Sequence, residues 1–194
     1  MNKNIEHYVF HKENFLDEKF CENSINELSM GDWEKHDWYL SSTDSQHSRS
    51  GKEEPDVLRI ETFSNNVLKI NEFIIQNLHS TILEYVECFK FDWFNYWAGY
   101  SPIRFNRYNL GQTMLSHCDH IQSMFDGERK GIPTLSIIGI LNDDYEGGEL
   151  IMFEDKKIDT KKGDLIIFPS NFLYPHYVAP VTKGVRYSYV SWVW

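Results

Sequence analysis

Two stretches in the first ninety residues have the hydrophobic spacing of amphipathic helices. In "DEKFCENSINELSMG" the apolar positions recur every three or four residues, at Phe20, Cys21, Ile25 and Leu28. Asp17 is the expected N-cap of this helix and Gly31 its expected stop. The stretch "NNVLKINEFIIQNLHSTILEYVECF" keeps the same spacing over about six turns, at Val67, Ile70, Ile74, Leu78, Ile82 and Val86. Residues 1–91 are therefore predicted to be mainly helical.

A polar segment, "LSSTDSQHSRSGKEEP", separates the two predicted helices. It is rich in Ser and contains Gly, and no stretch before it could form an independent core. The segment is therefore predicted to be a mobile loop within one domain, and a boundary between two domains is disfavoured.

From about residue 92 the pattern changes to short runs rich in β-branched and aromatic residues, separated by Gly, Pro, Asn and Asp. The runs are "IRFNRY", "TMLSHCD", "TLSIIGIL", "GELIMF", "GDLIIFP", "YPHYVAP" and "GVRYSYVSWVW". Regularly spaced short strands with turn signals predict a β-sandwich or barrel over residues 92–194.

The run "MLSHCDHIQ" places four residues with metal-binding or reactive side chains in sequence. On a helix His117 and His120 would pair, whereas on a strand His117 and Asp119 share one face and Cys118 and His120 share the other. Because the run follows the turn-forming "NLG" and lies among predicted strands, the strand reading is favoured. We therefore expect His117 and Asp119 to project together.

Composition narrows the class of protein. A chain of 194 residues has the size of one domain. With 29 acidic and 19 basic residues, its net charge of -10 disfavours nucleic acids and acidic membrane surfaces as partners. The three cysteines are widely spaced, and no run resembles a signal peptide or membrane span. A cytoplasmic protein is expected, and no oligomeric state is indicated.

A distant histidine could complete a metal site with His117 and Asp119. His176 lies 59 residues after His117, on a predicted strand. Two imidazoles and one carboxylate form a facial triad that leaves positions open on ferrous iron for a cosubstrate and oxygen. Ten residues further on, alternation places Arg186 and Ser188 on one face of the last strand, where an arginine fork with a hydroxyl beside it could hold a carboxylate.

The ordered set of motifs resembles the Fe(II)- and 2-oxoglutarate-dependent oxygenases, in particular their prolyl 4-hydroxylase-like branch. The resemblance covers about residues 100–194, through "RYNLGQ", "HCD", "LNDDYEGGELIMF", "KKGDLIIFP" and "PHYVAPVTKGVRYSYVSW". The family positions are occupied here by Tyr108, Gly111, His117, Asp119, Gly147, Gly148, Glu149, Gly163, Asp164, Phe168, Pro169, His176 and Arg186.

The resemblance implies a mainly β fold with N-terminal helices, a double-stranded β-helix or jelly roll. One domain, residues 1–194, would contain a helical support with a lid loop in 1–91 and the catalytic core in 92–194. By the same resemblance His117, Asp119 and His176 hold Fe(II), and no catalytic residue is needed beyond these ligands. The far carboxylate of 2-oxoglutarate would meet Arg186, helped by Tyr108 and Ser188, and Trp192 matches an aromatic position near the cosubstrate pocket.

The expected reaction uses oxygen to convert 2-oxoglutarate to succinate and CO2 while it hydroxylates a C–H bond, with ascorbate as a candidate further cofactor. A prolyl or other peptidyl side chain is the first expectation for the substrate. A free amino acid or another small molecule is the alternative. A jelly roll that binds a metal or ligand without turnover is the competing class of function. A triad combined with a carboxylate clamp favours the enzyme, because a simple binding module does not need both.

Overall fold

The computed structural model describes residues 4–36, 38–42, 45–49, 53–91, 97–119 and 133–194. Two α-helices occur in these ranges, α1 (Glu18–Ser29) and α2 (Asn65–Phe89), together with two short 3₁₀ turns. The first seven strands are β1 (Phe10–Lys12), β2 (Glu34–Lys35), β3 (Trp38–Ser42), β4 (Ser45–Arg49), β5 (Asp56–Leu58), β6 (Arg104–Tyr108) and β7 (Met114–His117). The others are β8 (Leu135–Ile140), β9 (Glu146–Gly147), β10 (Leu150–Met152), β11 (Lys156–Ile158), β12 (Leu165–Pro169), β13 (His176–Val178), β14 (Val181–Lys183) and β15 (Arg186–Val193).

Both predicted helices form, and the caps explain where each begins. The Asp17 carboxylate accepts the Phe20 N–H at 2.7 Å at the start of α1, and the Ser64 hydroxyl accepts the Val67 N–H at 3.3 Å at the start of α2. The apolar positions that define the predicted buried face of α2 are buried or partly buried. α1 ends at Ser29, two residues before Gly31, its expected stop, and Gly31 is not among the residues with positive φ. Its role is spatial, because a Cβ there would lie 2.9 Å from Leu58 Cδ2.

The strands form two main antiparallel sheets. The large sheet has the order β1-β12-β8-β15-β6-β5-β2, and the small sheet has the order β11-β10-β13-β7. Apolar side chains of β8 and β12 in the large sheet and of β10 in the small sheet pack into one buried cluster between the sheets. The outer face of the large sheet packs against α1 and α2. Two facing sheets with helices behind one of them agree with the predicted jelly roll.

The N-terminal part contributes more β-structure than its pattern predicts. Strands β1, β2 and β5 join the large sheet although each has only two or three residues, too few to show alternation. Within the segment predicted as a loop, β3 and β4 pair as an antiparallel hairpin from Trp38↔Arg49 to Ser42↔Ser45. Pairing satisfies backbone hydrogen bonds whatever the polarity of the side chains, which is why the Ser-rich composition misled the prediction.

Asp164, part of the Gly-Asp motif, ties the N-terminal segment to the large sheet. Its carboxylate accepts the backbone N–H groups of Asn14 at 3.1 Å and Lys161 at 2.8 Å, and it contacts His11 Nε2 at 2.8 Å. The acidic residue of that motif is therefore structural. In the part of the chain that the structure describes, no helix has the length and apolar character needed to cross a membrane.

Candidate metal centre

His117, Asp119 and His176 come together at one end of the small sheet. His117 ends β7 and His176 begins β13, and the two are directly opposite each other in the register of these strands. Asp119 Oδ1 lies 3.4 Å from His117 Nε2, and Asp119 Oδ2 lies 3.8 Å from His176 Nε2. The three ligand atoms all lie within 4.8 Å of one another, close enough for one cation to contact all of them.

Backbone hydrogen bonds fix the orientation of both imidazoles. His117 Nδ1 lies 2.8 Å from the Leu115 carbonyl oxygen, and His176 Nδ1 lies 3.1 Å from the Tyr174 carbonyl oxygen. A carbonyl can only accept, so each Nδ1 carries the hydrogen and each Nε2 keeps its lone pair. Both Nε2 lone pairs, which lie beside the Asp119 carboxylate, are therefore available to a metal ion. Histidines that bind metals are commonly held in this way by a hydrogen bond at the other ring nitrogen.

The surroundings favour the charge state that a metal needs. Burial raises the pKa of Asp119, but His176 and His117 outweigh it and hold that pKa well below its usual range. The Ser136 hydroxyl adds a hydrogen bond to the same carboxylate. Burial lowers the pKa of His176, more than the neighbouring Asp119 raises it. At neutral pH the site therefore presents a carboxylate and a neutral imidazole, which are the ligand forms.

The strand reading of "HCD" holds only in part. β7 ends at His117, so Asp119 reaches the cluster from the first residues after the strand. Cys118 points elsewhere, with Sγ 3.6 Å from the Phe172 carbonyl oxygen. His120 lies outside the described residues.

Arg186 is held deep in the large sheet, on the face that looks towards the small sheet. It is 1% exposed, and it pairs in register with Tyr108 on β6. Its Nη1 donates to the Ser188 hydroxyl at 2.7 Å, and its guanidinium lies 5.0 Å from the centre of the Tyr108 ring. Three of the four cosubstrate candidates thus meet. The Nε atom of Arg186 has no hydrogen-bond partner among the described residues.

Gly148, on the turn before β10, provides the space that the Arg186 side chain occupies. Its φ is +65°, and a Cβ at this position would lie 3.0 Å from Arg186 Cδ. Gly147 also has a positive φ, as the turn prediction expected.

We expect Gly148→Ala to destabilise the protein by about 1–2 kcal/mol, because a Cβ is unfavourable at positive φ, and also to raise the apparent 2-oxoglutarate constant by displacing Arg186. Gly111→Ala is the matched control, since Gly111 has φ +79° and no atom within 4 Å of the added Cβ. Thermal unfolding and cosubstrate titration of both variants would test this. An unchanged 2-oxoglutarate constant in Gly148→Ala would show that the glycine does not position Arg186.

Trp192, the fourth cosubstrate candidate, lies apart from Arg186 and beside the metal ligands. It pairs across strands with Ser136, the residue that bonds Asp119. The Arg104 guanidinium lies over its ring, 5.2 Å from the ring centroid. Trp192 is therefore placed at the metal end of the large sheet.

Three polar residues that the sequence reading did not select also lie on this face. Alternation along β6 from Tyr108 places Arg104 and Asn106 there, which is a signal the sequence could have supplied. Ser136 is placed there by its cross-strand pairing with Trp192. Asn106 is 1% exposed, and its Oδ1 has no hydrogen-bond partner among the described residues. The wall between the metal ligands and Arg186 is therefore polar.

A buried polar pair lies near the same wall. His36 Nδ1 is 3.6 Å from Glu54 Oε2, and both side chains are buried. Burial lowers the pKa of His36 to about 3, with the charges of Arg104 and His117 next in effect. His36 is not part of the three-residue metal cluster.

The residues present fit a divalent metal and a dicarboxylate cosubstrate. Two imidazoles and one carboxylate leave coordination positions free, as ferrous oxygenases require. Buried Arg186 has a hydrogen-bonding atom without a partner among the described residues, which suits a carboxylate ligand. Ser188 occupies only Nη1.

The whole described fold is similar to that of solved prolyl hydroxylases. A prolyl-4-hydroxylase from Pseudomonas putida superposes with a TM-score of 0.65 at 18% identity, covering 96% of this chain and 91% of that chain. A prolyl hydroxylase from Trichoplax adhaerens, in complex with a hypoxia inducible factor oxygen degradation domain peptide fragment, gives 0.64 at 18% identity, covering 96% and 83%. These enzymes have the double-stranded β-helix fold, and so does this chain.

Sequence comparisons cover the part that contains the candidate site. A PKHD-type hydroxylase of Stenotrophomonas maltophilia (strain R551-3) is 37% identical over 99 residues, 48% of this chain and 43% of that protein. The chain therefore matches less than half the length of this curated relative. Residues 103–194 match the sequence model of the 2OG-Fe(II) oxygenase superfamily. All three metal-ligand candidates and all four cosubstrate candidates lie in that range, and the match supports a 2OG-Fe(II) oxygenase of the prolyl 4-hydroxylase-like kind.

Proposed function

We propose that this protein is an Fe(II)- and 2-oxoglutarate-dependent dioxygenase that hydroxylates a C–H bond of a prolyl or other peptidyl side chain, with release of succinate and CO2. One observation carries the proposal. A cluster of His117, Asp119 and His176 on the small sheet faces the same interior as the buried Arg186 on the large sheet. A protein that only binds a metal has no need of the second feature.

Each residue has a distinct part in this proposal. The metal and cosubstrate, when bound, supply the oxidising chemistry that activates oxygen. His117, Asp119 and His176 would hold the metal through two Nε2 atoms and one carboxylate. Arg186 would bind the far carboxylate of the cosubstrate, with Ser188 keeping the guanidinium in place through the bond at 2.7 Å.

The apolar interior would protect the reaction from water. A buried cluster lines the space between the sheets, formed by Ile138, Ile140, Leu150, Met152, Ile166, Phe168 and Tyr174. The Phe168 ring contacts the His176 ring edge-on, with 5.0 Å between centroids. A low local dielectric strengthens the interactions of the metal ligands and of Arg186 with charged groups.

A peptidyl substrate is favoured by the rim of the metal centre. Three large apolar side chains near the triad are exposed, at Leu115, Phe172 and Leu173. Phe172 contacts Cys118 through its carbonyl, and Leu115 bonds His117 through its own. Exposed apolar groups beside a site suit an extended partner that covers them. The Trichoplax structure, with its bound peptide fragment, gives the same indication.

A screen for oxygen insertion tests the proposed function. The iron-loaded protein would be incubated under air with 2-oxoglutarate and a library of proline-containing and other peptides, with and without ascorbate, and products analysed by mass spectrometry. We expect a peptide that gains the mass of one oxygen atom while succinate forms in equal amount. Insertion only into free amino acids would contradict the peptidyl part of the proposal, and no succinate under any condition would contradict the enzyme class.

The segment 41–54 is proposed to close over the substrate, since it contains most of the β3–β4 hairpin and ends at the buried Glu54, two residues before β5 of the large sheet. Hydrogen exchange in this segment should slow when peptide substrate, 2-oxoglutarate and a redox-inert metal are bound together. Metal and cosubstrate without substrate form the control. Equal exchange in the two states would leave the segment without a lid function.

A further inference from the structure

Arg104 lies at the metal end of the large sheet and is not used by the proposed function. It pairs in register with Val190 on β15, whereas Arg186 pairs with Tyr108 at the other end of β6. Val190 lies four positions after Arg186, about 13 Å along a strand. The guanidinium of Arg104 lies over Trp192, beside the metal ligands.

Within the described ranges, Arg104 differs from neighbouring arginines because it has no carboxylate partner. Arg59 pairs with Glu34 at 2.8 Å, and Arg107, on the opposite face of β6, pairs with Asp56 at 2.9 Å. Among the residues whose side chains the structure describes, Arg104 forms no such ion pair, and its buried Nε has no hydrogen-bond partner.

A partly buried cation without a counterion is unfavourable. Burial lowers the pKa of Arg104, and the nearby Tyr108 and Asp119 oppose this only in part. Asp119 would be neutralised further by a metal ion. Because the described residues supply no counterion, the guanidinium is best satisfied by an anionic ligand that enters the site. The guanidinium carbon lies 5.2 Å from the centre of the Trp192 ring, so a cation–π contact holds Arg104 at this place.

This inference rests on the proposed function, in which both carboxylates of 2-oxoglutarate already have partners, the near one at the metal and the far one at Arg186. We propose that Arg104, stacked on Trp192, binds a carboxylate group of the primary substrate. Arg104 thereby becomes a specificity residue, and the substrate carries its carboxylate close to the hydroxylated carbon. The carboxylate could belong to a free amino acid or to an acidic side chain of a peptide.

Paired probes separate these two sources. One arm uses free L-amino acids and their primary amides, and the other uses peptides with blocked termini that contain Asp or the matching Asn. Binding is measured by thermal shift of the protein loaded with manganese and 2-oxoglutarate, because a ligand that binds the folded state raises its melting temperature. Wild type should prefer the carboxylate member of a pair in one arm.

We expect Arg104→Gln to lose about tenfold or more of that preference, equivalent to about 1.4 kcal/mol. Arg104→Lys should retain part of the preference for the carboxylate probe, because it keeps the positive charge. Arg107→Gln is the matched control, because that arginine faces the other side of the same strand and should leave the preference unchanged.

Several results would overturn the inference. These are equal preferences in wild type and Arg104→Gln, no carboxylate preference in any pair, or a rise in the 2-oxoglutarate constant of Arg104→Gln with the probe preference intact. The last result would assign Arg104 to the cosubstrate. Failure of the proposed function has a different signature, because the wild-type protein with iron would then form no succinate from 2-oxoglutarate.

Discussion

Replacing Asp119 with alanine is expected to abolish turnover. The variant keeps two imidazoles but removes the carboxylate that lies 3.4 Å from one Nε2 and 3.8 Å from the other. The dication would lose its only charged ligand among the three, so iron affinity should fall as well. Losing a residue that only orients a ligand costs about 10- to 100-fold, so we expect a loss of at least about 100-fold here. Iron titration and succinate formation measure the two effects.

Cys118→Ala is the control for this prediction. Cys118 is adjacent in sequence, but its Sγ points to the Phe172 carbonyl rather than to the ligand atoms. The variant should bind iron and turn over as wild type does. Turnover of Asp119→Ala near the wild-type rate would exclude the proposed triad. Loss of iron binding in Cys118→Ala would mean that Cys118 belongs to the metal site and that the proposed set of ligands is wrong.

The second large effect is expected at Arg186. Arg186→Lys keeps the charge but replaces a planar, two-point grip with one ammonium, and the bond to Ser188 at 2.7 Å loses its geometry. The apparent 2-oxoglutarate constant should rise about tenfold or more, equivalent to about 1.4 kcal/mol. Arg186→Met should be worse, because the far carboxylate would be desolvated without a cation.

Iron binding provides the internal control for both Arg186 variants. Arg186 lies on the large sheet and the three ligands lie on or beside the small one, so iron affinity should stay at the wild-type value. If both variants titrate with 2-oxoglutarate as wild type does, another residue must hold the cosubstrate. Arg104 would then be the first candidate, since Arg107 is engaged by Asp56.

The sequence predicts the elements that have one clear buried face. Helix α2 was placed correctly because apolar residues recur along one side of it, and Ile74, Leu78 and Ile82 are fully buried as that spacing requires. The strands after residue 97 were recognised for a similar reason, since β-branched residues and turn signals alternate there. Period-two alternation predicted that Arg186 and Ser188 lie on the same face, and in the structure the two side chains form a hydrogen bond.

Features that depend on tertiary pairing could not be read in the same way. Strands β1 and β2 are too short to show a period, and they exist because the edges of the large sheet pair with them. Alternation along a strand correctly predicted that Asp119 lies beside His117. The reason was partly wrong, because β7 ends at His117 and Asp119 lies beyond it. Ser136 became visible as a partner of Asp119 only once the strands were placed in register.

Succinate formation from 2-oxoglutarate under air tests the central claim most directly. The measurement compares wild type, Asp119→Ala, Arg186→Met and Cys118→Ala at iron and cosubstrate concentrations that saturate the wild type. We expect wild type and Cys118→Ala to form succinate at similar rates and the other two variants to form little or none. A wild type that forms none, or an Asp119→Ala variant that matches it, would contradict the account.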